Sequence, residues 1–106
     1  MSNAISEAPR DFAGEFVTAT AERLNARRNM RLGLWAGAKL GMTEEVCAAY
    51  ALEVMVAGMI DPGDDDVVDK IIGDFTAQGV PMTRGDILEQ LGTDYRFVMT
   101  DGAATH

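Results

Sequence analysis

Val67, Val68, Ile71, Ile72 and Phe75 recur at the three- and four-residue spacing of one helix face, while Asp69, Lys70 and Asp74 take the opposite side. A strand alternates its faces every second residue and cannot bury that set together, so the segment commits the chain to a half-buried helix. One such stripe needs other elements to cover it. Their ends are marked by local chemistry. Thr43 precedes Glu44 and Glu45 and reads as an N-cap, Thr83 reads as another, and Gly41 reads as a C-cap. The stretches "DPGDDD" (61–66) and "AQGVPM" (77–82) read as turns.

These signals divide the chain into four helices. The first is predicted to begin near Asp11, after Pro9 has broken any earlier helix, with Phe12 and Phe16 four apart on one face. Gly14, Thr18 and Thr20 weaken its front, so residues 21–40 should be its firm part. The second runs from the Thr43 cap to about Ile60. Between Val46 and Ile60 its only charge is Glu53, and a helix apolar nearly all round is expected at the centre of a bundle. The third carries the opening stripe, and the fourth places Ile87, Leu88, Leu91, Tyr95 and Val98 on one face. At 106 residues and 47% hydrophobic content, there is material for one core. With only 7% aromatic residues, that core suits helices better than sheets. The expected architecture is therefore all-α: a flexible arm and frayed helix start over residues 1–20, a four-helix bundle over 21–99, and a disordered tail over 100–106.

The same residues exclude most chemistry. Nine basic against seventeen acidic side chains give a net charge of −8, which repels nucleic acid and anionic membrane. No apolar run is long enough to cross a bilayer, and the start has no basic-then-apolar leader pattern, so a cytoplasmic location is expected. Lone Cys47, flanked by alanines, fits a small packed hydrophobe in a reducing compartment. The acidic loop at 61–66 lacks the alternating ligands and closing glutamate of a calcium loop, and its acids are placed to favour a helix N-terminus. Cys47 and His106 are the sole thiol and imidazole, so neither a zinc frame nor a Cys-His nucleophilic pair can be built. No phosphate-binding glycine loop follows a strand. Glu53 is the one carboxylate on an otherwise apolar helix, expected to pair with Arg28 or Arg31 or to reach solvent. Neither catalytic residues nor a metal site are expected, and no cofactor is required.

Charge is divided unevenly along the chain. Residues 1–43 hold six basic and four acidic side chains, and the remainder holds three and thirteen. Arg23, Arg27 and Arg31 stand four apart on one helix ridge with Arg28 at its side. Such a ridge can pair with the chain's own acids or face a partner. Trp35, the only tryptophan, lies in an apolar helical run where an indole ordinarily fills the core.

At this segment the chain resembles the zeta-type inhibitor subunits of bacterial F-type ATP synthases. "ARRNMRLGLWAGAKLG" (26–41) is similar to the family's Ala-Arg-Arg-Asn, Leu-Gly, Trp-Ala, Leu-Gly signature. "AYALEVMVAGMIDPGDDDV" (49–67) is similar to its Ala-Tyr-Ala and Pro-Gly-Asp-Asp/Glu-Asp-Val stretches in the same order. The resemblance implies a non-catalytic cytoplasmic regulator, monomeric when free, that inserts an N-terminal helical segment into the catalytic head of the synthase and blocks ATP hydrolysis. It places Phe12, Phe16 and Arg23 in the inhibitory arm. Arg27, Arg28, Asn29, Arg31 and Trp35 fall in the scaffold signature, as residues for partner or nucleotide contact, since some members bind adenine nucleotide weakly. Around Phe16 the chain departs from the family pattern: "VTATAERL" follows, and the spacing to Arg27 is a couple of residues shorter. Two residues turn a helix by about 200°. The departure defines a second reading, a diverged paralogue serving as a non-inhibitory protein-binding helical module.

Overall fold

The computed structural model describes the backbone of residues 2–60 and 63–104 and the side chains of residues 20–60 and 63–100. Four helices follow in order: α1 (Ser2–Lys39), α2 (Glu44–Ala57), α3 (Asp65–Gln78) and α4 (Arg84–Ala104). Each packs on two others, α1 and α3 both lying against α2 and α4, so the four close a ring around one core. Leu32, Ala36, Tyr50, Val54, Val67, Val68, Ile71, Phe75, Ile87 and Leu91 fill it.

Local rules set most of the ends. Gly41, at φ 78, closes α1 with a left-handed residue: its amide donates to the Ala38 carbonyl at 3.1 Å, and the Met42 amide donates to Gly37 at 3.0 Å. That is the paired hydrogen-bond pattern by which glycine satisfies the last carbonyls of a helix. Thr43 Oγ1 accepts from the Val46 amide at 3.4 Å, and Thr83 Oγ1 accepts from the Asp86 amide at 3.0 Å, so both threonines cap as expected. Asp65 and Asp66 occupy the first turn of α3, where carboxylates face the positive end of the helix dipole.

The helices run further than the sequence predicts. The helix α1 starts well before Asp11 and continues through Pro9, and α4 passes Thr100 to Ala104. Ala4, Ala8 and Ala13 supply strong helix formers around the proline, and no proline follows Thr83 to stop α4. At 1.5 Å per residue, the 38 residues of α1 span about 57 Å against about 21 Å for the 14 of α2. The front half of α1 therefore outruns α2. The expected mobility of 1–20 and 100–106, and the side chains of Phe12 and Phe16, lie outside what the described side chains cover.

Two other expectations are corrected. The helix α2 is not central: Cys47, Tyr50, Ala51 and Val54 face inward, while Val46, Leu52 and Val56 are exposed. The inward face suffices because it meets α1 at unusually close range. A β-carbon on Gly33 would lie 2.6 Å from Ala51 Cα, and one on Gly37 would lie 2.6 Å from Cys47 Sγ. Small residues four apart on both helices thus bring the two backbones together, and the Cys47 thiol donates to the Leu34 carbonyl at 3.2 Å. In α4 the buried positions are Ile87, Leu91, Asp94 and Val98, with Leu88 and Tyr95 exposed. A carboxylate occupies a place in the stripe that an apolar pattern would pass over.

Candidate partner-binding surface

The arginine ridge divides along its length. Arg28 and Arg31 turn into the bundle. Arg28, with 13% of its side chain exposed, donates through Nη2 to Asp64 Oδ1 at 2.7 Å and through Nε to Asn29 Oδ1 at 3.2 Å. Asn29 is itself buried beside Gly58, where an added β-carbon would run into the Asn29 side-chain amide and force it to shift. The signature pair Arg28-Asn29 is thus a joint between α1, the end of α2 and the start of α3. Glycine at 58 is part of it.

Arg31 makes the corresponding joint to α4. Its guanidinium carbon lies 3.5 Å from the centre of the Phe97 ring, and its Nε donates to Asp94 Oδ1 at 3.3 Å. The planar face of the cation is taken by the aromatic ring, which leaves one edge for the carboxylate. Gln90 Nε2 donates to the same oxygen at 3.1 Å, and Asp94 Oδ2 is buried without a hydrogen-bond partner among the described residues. Burial raises the Asp94 pKa above the ordinary carboxylate value, against the opposing pull of Gln90 and Arg31. Of the two outcomes expected of Glu53, reaching solvent is what the structure shows, with 63% of its side chain exposed, and pairing with Arg28 or Arg31 is not. Its carboxylate accepts from Lys70 Nζ at 3.4 Å, because Arg28 and Arg31 have already found Asp64 and Asp94.

The same lysine ties α3 to α2 through a second carboxylate. Lys70 Nζ donates to Asp74 Oδ2 at 3.1 Å, and the Tyr50 hydroxyl donates to that oxygen at 2.7 Å. Burial, then the Asp74 hydrogen bond and the nearby negative charges, hold the Tyr50 hydroxyl well above the ordinary phenol range. It remains a donor at any physiological pH.

Arg23 and Arg27 differ from these two. Both are exposed, and they lie on the part of α1 that leads toward the expected arm. They stand four apart and belong to one ridge with Arg31, which reaches across to Asp94 as neighbouring Arg28 does to Asp64. Trp35 is half-buried against the core, with Lys39 Nζ 5.3 Å from its ring centre. It lines a cleft of about 560 Å³ with Lys39, Phe75, Met82, Asp86 and Glu89. None of the ridge arginines lines that cleft, whereas Arg28 borders a separate hollow of about 290 Å³ beside Asp64, Leu88 and Tyr95. Of the residues joined in the sequence for nucleotide contact, Trp35 and Arg28 thus line different hollows.

No constellation for acid-base or nucleophilic work stands among the described residues, whose ionisable groups are chiefly spent in helix-to-helix joints. Among them no three His, Cys, Asp or Glu side chains gather around a metal position. No helix among the described residues is long and apolar enough to cross a membrane. A helical scaffold that projects one long helix with exposed basic residues has the build of an interaction module. Residues 6–96 match the profile of the family described as ATPase inhibitor subunit zeta, and the chain belongs to that family of non-catalytic regulators. Among solved structures, one determined by solution NMR is similar, with 25% identity and a TM-score of 0.69 over 80% of this chain and 96% of that one. No curated protein matches.

Proposed function

We propose that this chain acts in the cytoplasm, at the cytoplasmic face of the inner membrane when bound to its target, and blocks ATP hydrolysis by an F-type ATP synthase by inserting the front of α1 into the catalytic head. The observation that carries the reading is the continuity of α1. The helix anchored by Arg28, Asn29 and Arg31 is the same one that leads through exposed Arg27 and Arg23 toward Phe12 and Phe16. Family membership supports the choice of partner. In this division of labour, residues 1–20 act as the inhibitory arm, 21–99 as the scaffold and 100–106 as a tail. Lodging that end of α1 in the head has to be driven by burial of apolar side chains, and Phe12 and Phe16 are the anchors this reading assigns to it. The second reading, a non-inhibitory helical binding module, draws on "VTATAERL" after Phe16.

Hydrolysis by the cognate ATP synthase, assayed with and without the purified chain, separates the two. The inhibitor reading expects suppression by the full chain and none by a variant lacking residues 1–20, whose scaffold still unfolds cooperatively. Undiminished hydrolysis at saturating full-length chain overturns it.

A further inference from the structure

We infer that the outward face of α2 docks a basic amphipathic helix of a partner protein. Val46, Leu52 and Val56 are 53%, 49% and 53% exposed, and Ala49 lies among them. At 100° per residue these four positions fall within an arc of about 120°, turned away from the inward set Cys47, Tyr50, Ala51 and Val54. Met59 and Ile60, each 71% exposed, follow the helix end but line a hollow with Glu22, Asn25 and Ala26 of α1, so the stripe ends at Val56. An exposed stripe of this length on a small domain is the signature of an interface, since isolated domains keep contiguous apolar patches small.

Charge selects the occupant. The helix α2 carries Glu44, Glu45 and Glu53 and no basic residue. Glu45 and Glu53 fall within the same arc, on opposite sides of the line from Val46 through Ala49 to Val56, and Lys70, which reaches Glu53, is shared with Asp74. A second copy would set glutamates against glutamates, and an anionic bilayer would meet a chain of net charge −8. A helix with leucine-like residues on one side and Lys or Arg along its borders satisfies both the apolar line and the glutamates that flank it. The face belongs to the scaffold, so the inference stands independently of whether the arm inhibits.

The test is an NMR titration of the ¹⁵N-labelled full chain with a synthetic amphipathic Leu/Lys peptide of about four turns, matched against a Leu/Glu peptide of the same pattern. The basic peptide is expected to shift the amides of Val46, Ala49, Leu52 and Val56. The double variant Leu52→Lys/Val56→Lys is expected to weaken that binding by about tenfold or more, through lost apolar contact and like-charge repulsion. Its thermal unfolding should stay close to that of the parent, because neither side chain is buried. A Leu88→Lys control on the exposed side of α4 should bind as the parent does. The inference is overturned by absence of shifts, by shifts confined to α4, or by equal binding of the acidic peptide. Self-association through the same residues without peptide would also overturn it, as would binding to phosphatidylglycerol vesicles, but not to the Leu/Lys peptide, that the double variant abolishes.

Discussion

Gly33 of α1 lies so close to Ala51 of α2 that a β-carbon on the glycine would come within 2.6 Å of the alanine's Cα. The obstacle is backbone, which cannot rotate aside, so the two helices must separate to admit even a methyl group. Overpacking of this kind costs about 1–3 kcal/mol, partly offset by the gain of about 1 kcal/mol in helix propensity. Gly33→Ala is therefore expected to destabilise the fold despite improving α1 as an isolated helix, and Gly33→Val to do so more strongly. Gly73 gives the opposite sign. It is exposed on α3 with nothing within 4 Å of its would-be β-carbon, so Gly73→Ala should stabilise by about 0.5–1 kcal/mol. Urea unfolding of the variants checks both signs.

Arg28 bridges a buried amide and a half-exposed carboxylate through two nitrogens of one guanidinium. Truncating it leaves Asn29 Oδ1 without that donor inside the bundle, which costs about 1–3 kcal/mol. Arg28→Ala should therefore lower the unfolding free energy by an amount in that range. Arg28→Lys should recover only part of it, because a lysine presents a point charge where the site uses a fork. Arg23→Ala, at an exposed position, should change stability by no more than about 0.5 kcal/mol. The same three proteins, compared by urea unfolding, test whether the ridge divides into structural and surface arginines.

What could be read from the chain beforehand depended on how far apart the interacting residues were. Thr43, Thr83 and Gly41 act within a turn of their own positions, and the stripe from Val67 to Phe75 needs only helical periodicity, so each was legible. The partners of Arg28 and Arg31 were not. Asp64 and Asp94 stand 36 and 63 residues away, and only the closing of the ring brings them there. Glu53 shows the same limit from the acidic side, since several cations were within plausible reach and the lysine of α3 won. The centrality expected of α2 failed for another reason. Hydrophobic content does not record how closely a helix is approached, and the Gly33 and Gly37 contacts let one face suffice. Asp94 had a signal in the spacing 87, 91, 94, 98, but a charged residue is ordinarily read as marking the solvent side. The arm's anchors, Phe12 and Phe16, rest on family resemblance alone.

Phe12 and Phe16 make a prediction that leaves the scaffold untouched. Both precede the scaffold-anchoring residues Arg28, Asn29 and Arg31 in sequence and stand four residues apart, about one helical turn. If they anchor the arm, each should behave as an interface hot spot, where truncation of a buried aromatic costs about 2 kcal/mol or more. Phe16→Ala is then expected to raise the concentration needed for half-maximal inhibition of ATP hydrolysis by roughly thirtyfold, with little change in urea unfolding. Unaltered inhibition would remove Phe16 from the contact.

Tyr50 and Asp74 offer a test of the α2–α3 joint that involves one atom. Tyr50→Phe removes a 2.7 Å hydrogen bond while keeping the ring in the core. The expected loss is about 1 kcal/mol, since Asp74 keeps Lys70 as a donor and is not left bare. Asp74→Ala should cost more, because it withdraws the acceptor from both the tyrosine hydroxyl and the lysine. Urea unfolding of each variant should place Asp74→Ala below Tyr50→Phe, and the reverse order would show that the carboxylate contributes little to the joint.

The last prediction concerns pH and Asp94. Burial raises this carboxyl above its unfolded value, more than Gln90 and Arg31 together lower it. The folded chain therefore binds this proton more tightly than the unfolded chain does. The stability tied to that proton is fully present below the unfolded pKa and is lost as pH rises through the folded one. Acidification from neutrality should thus strengthen this position. Asp94→Asn removes the titration and keeps an oxygen for Arg31 and Gln90, so comparison with the parent isolates the effect. Unfolding free energies measured at pH 7 and again near pH 4.5 should show the parent gaining on the variant as pH falls. A parent that loses ground to the variant on acidification would mean that Arg31 prevails over burial, and that the carboxylate is held charged.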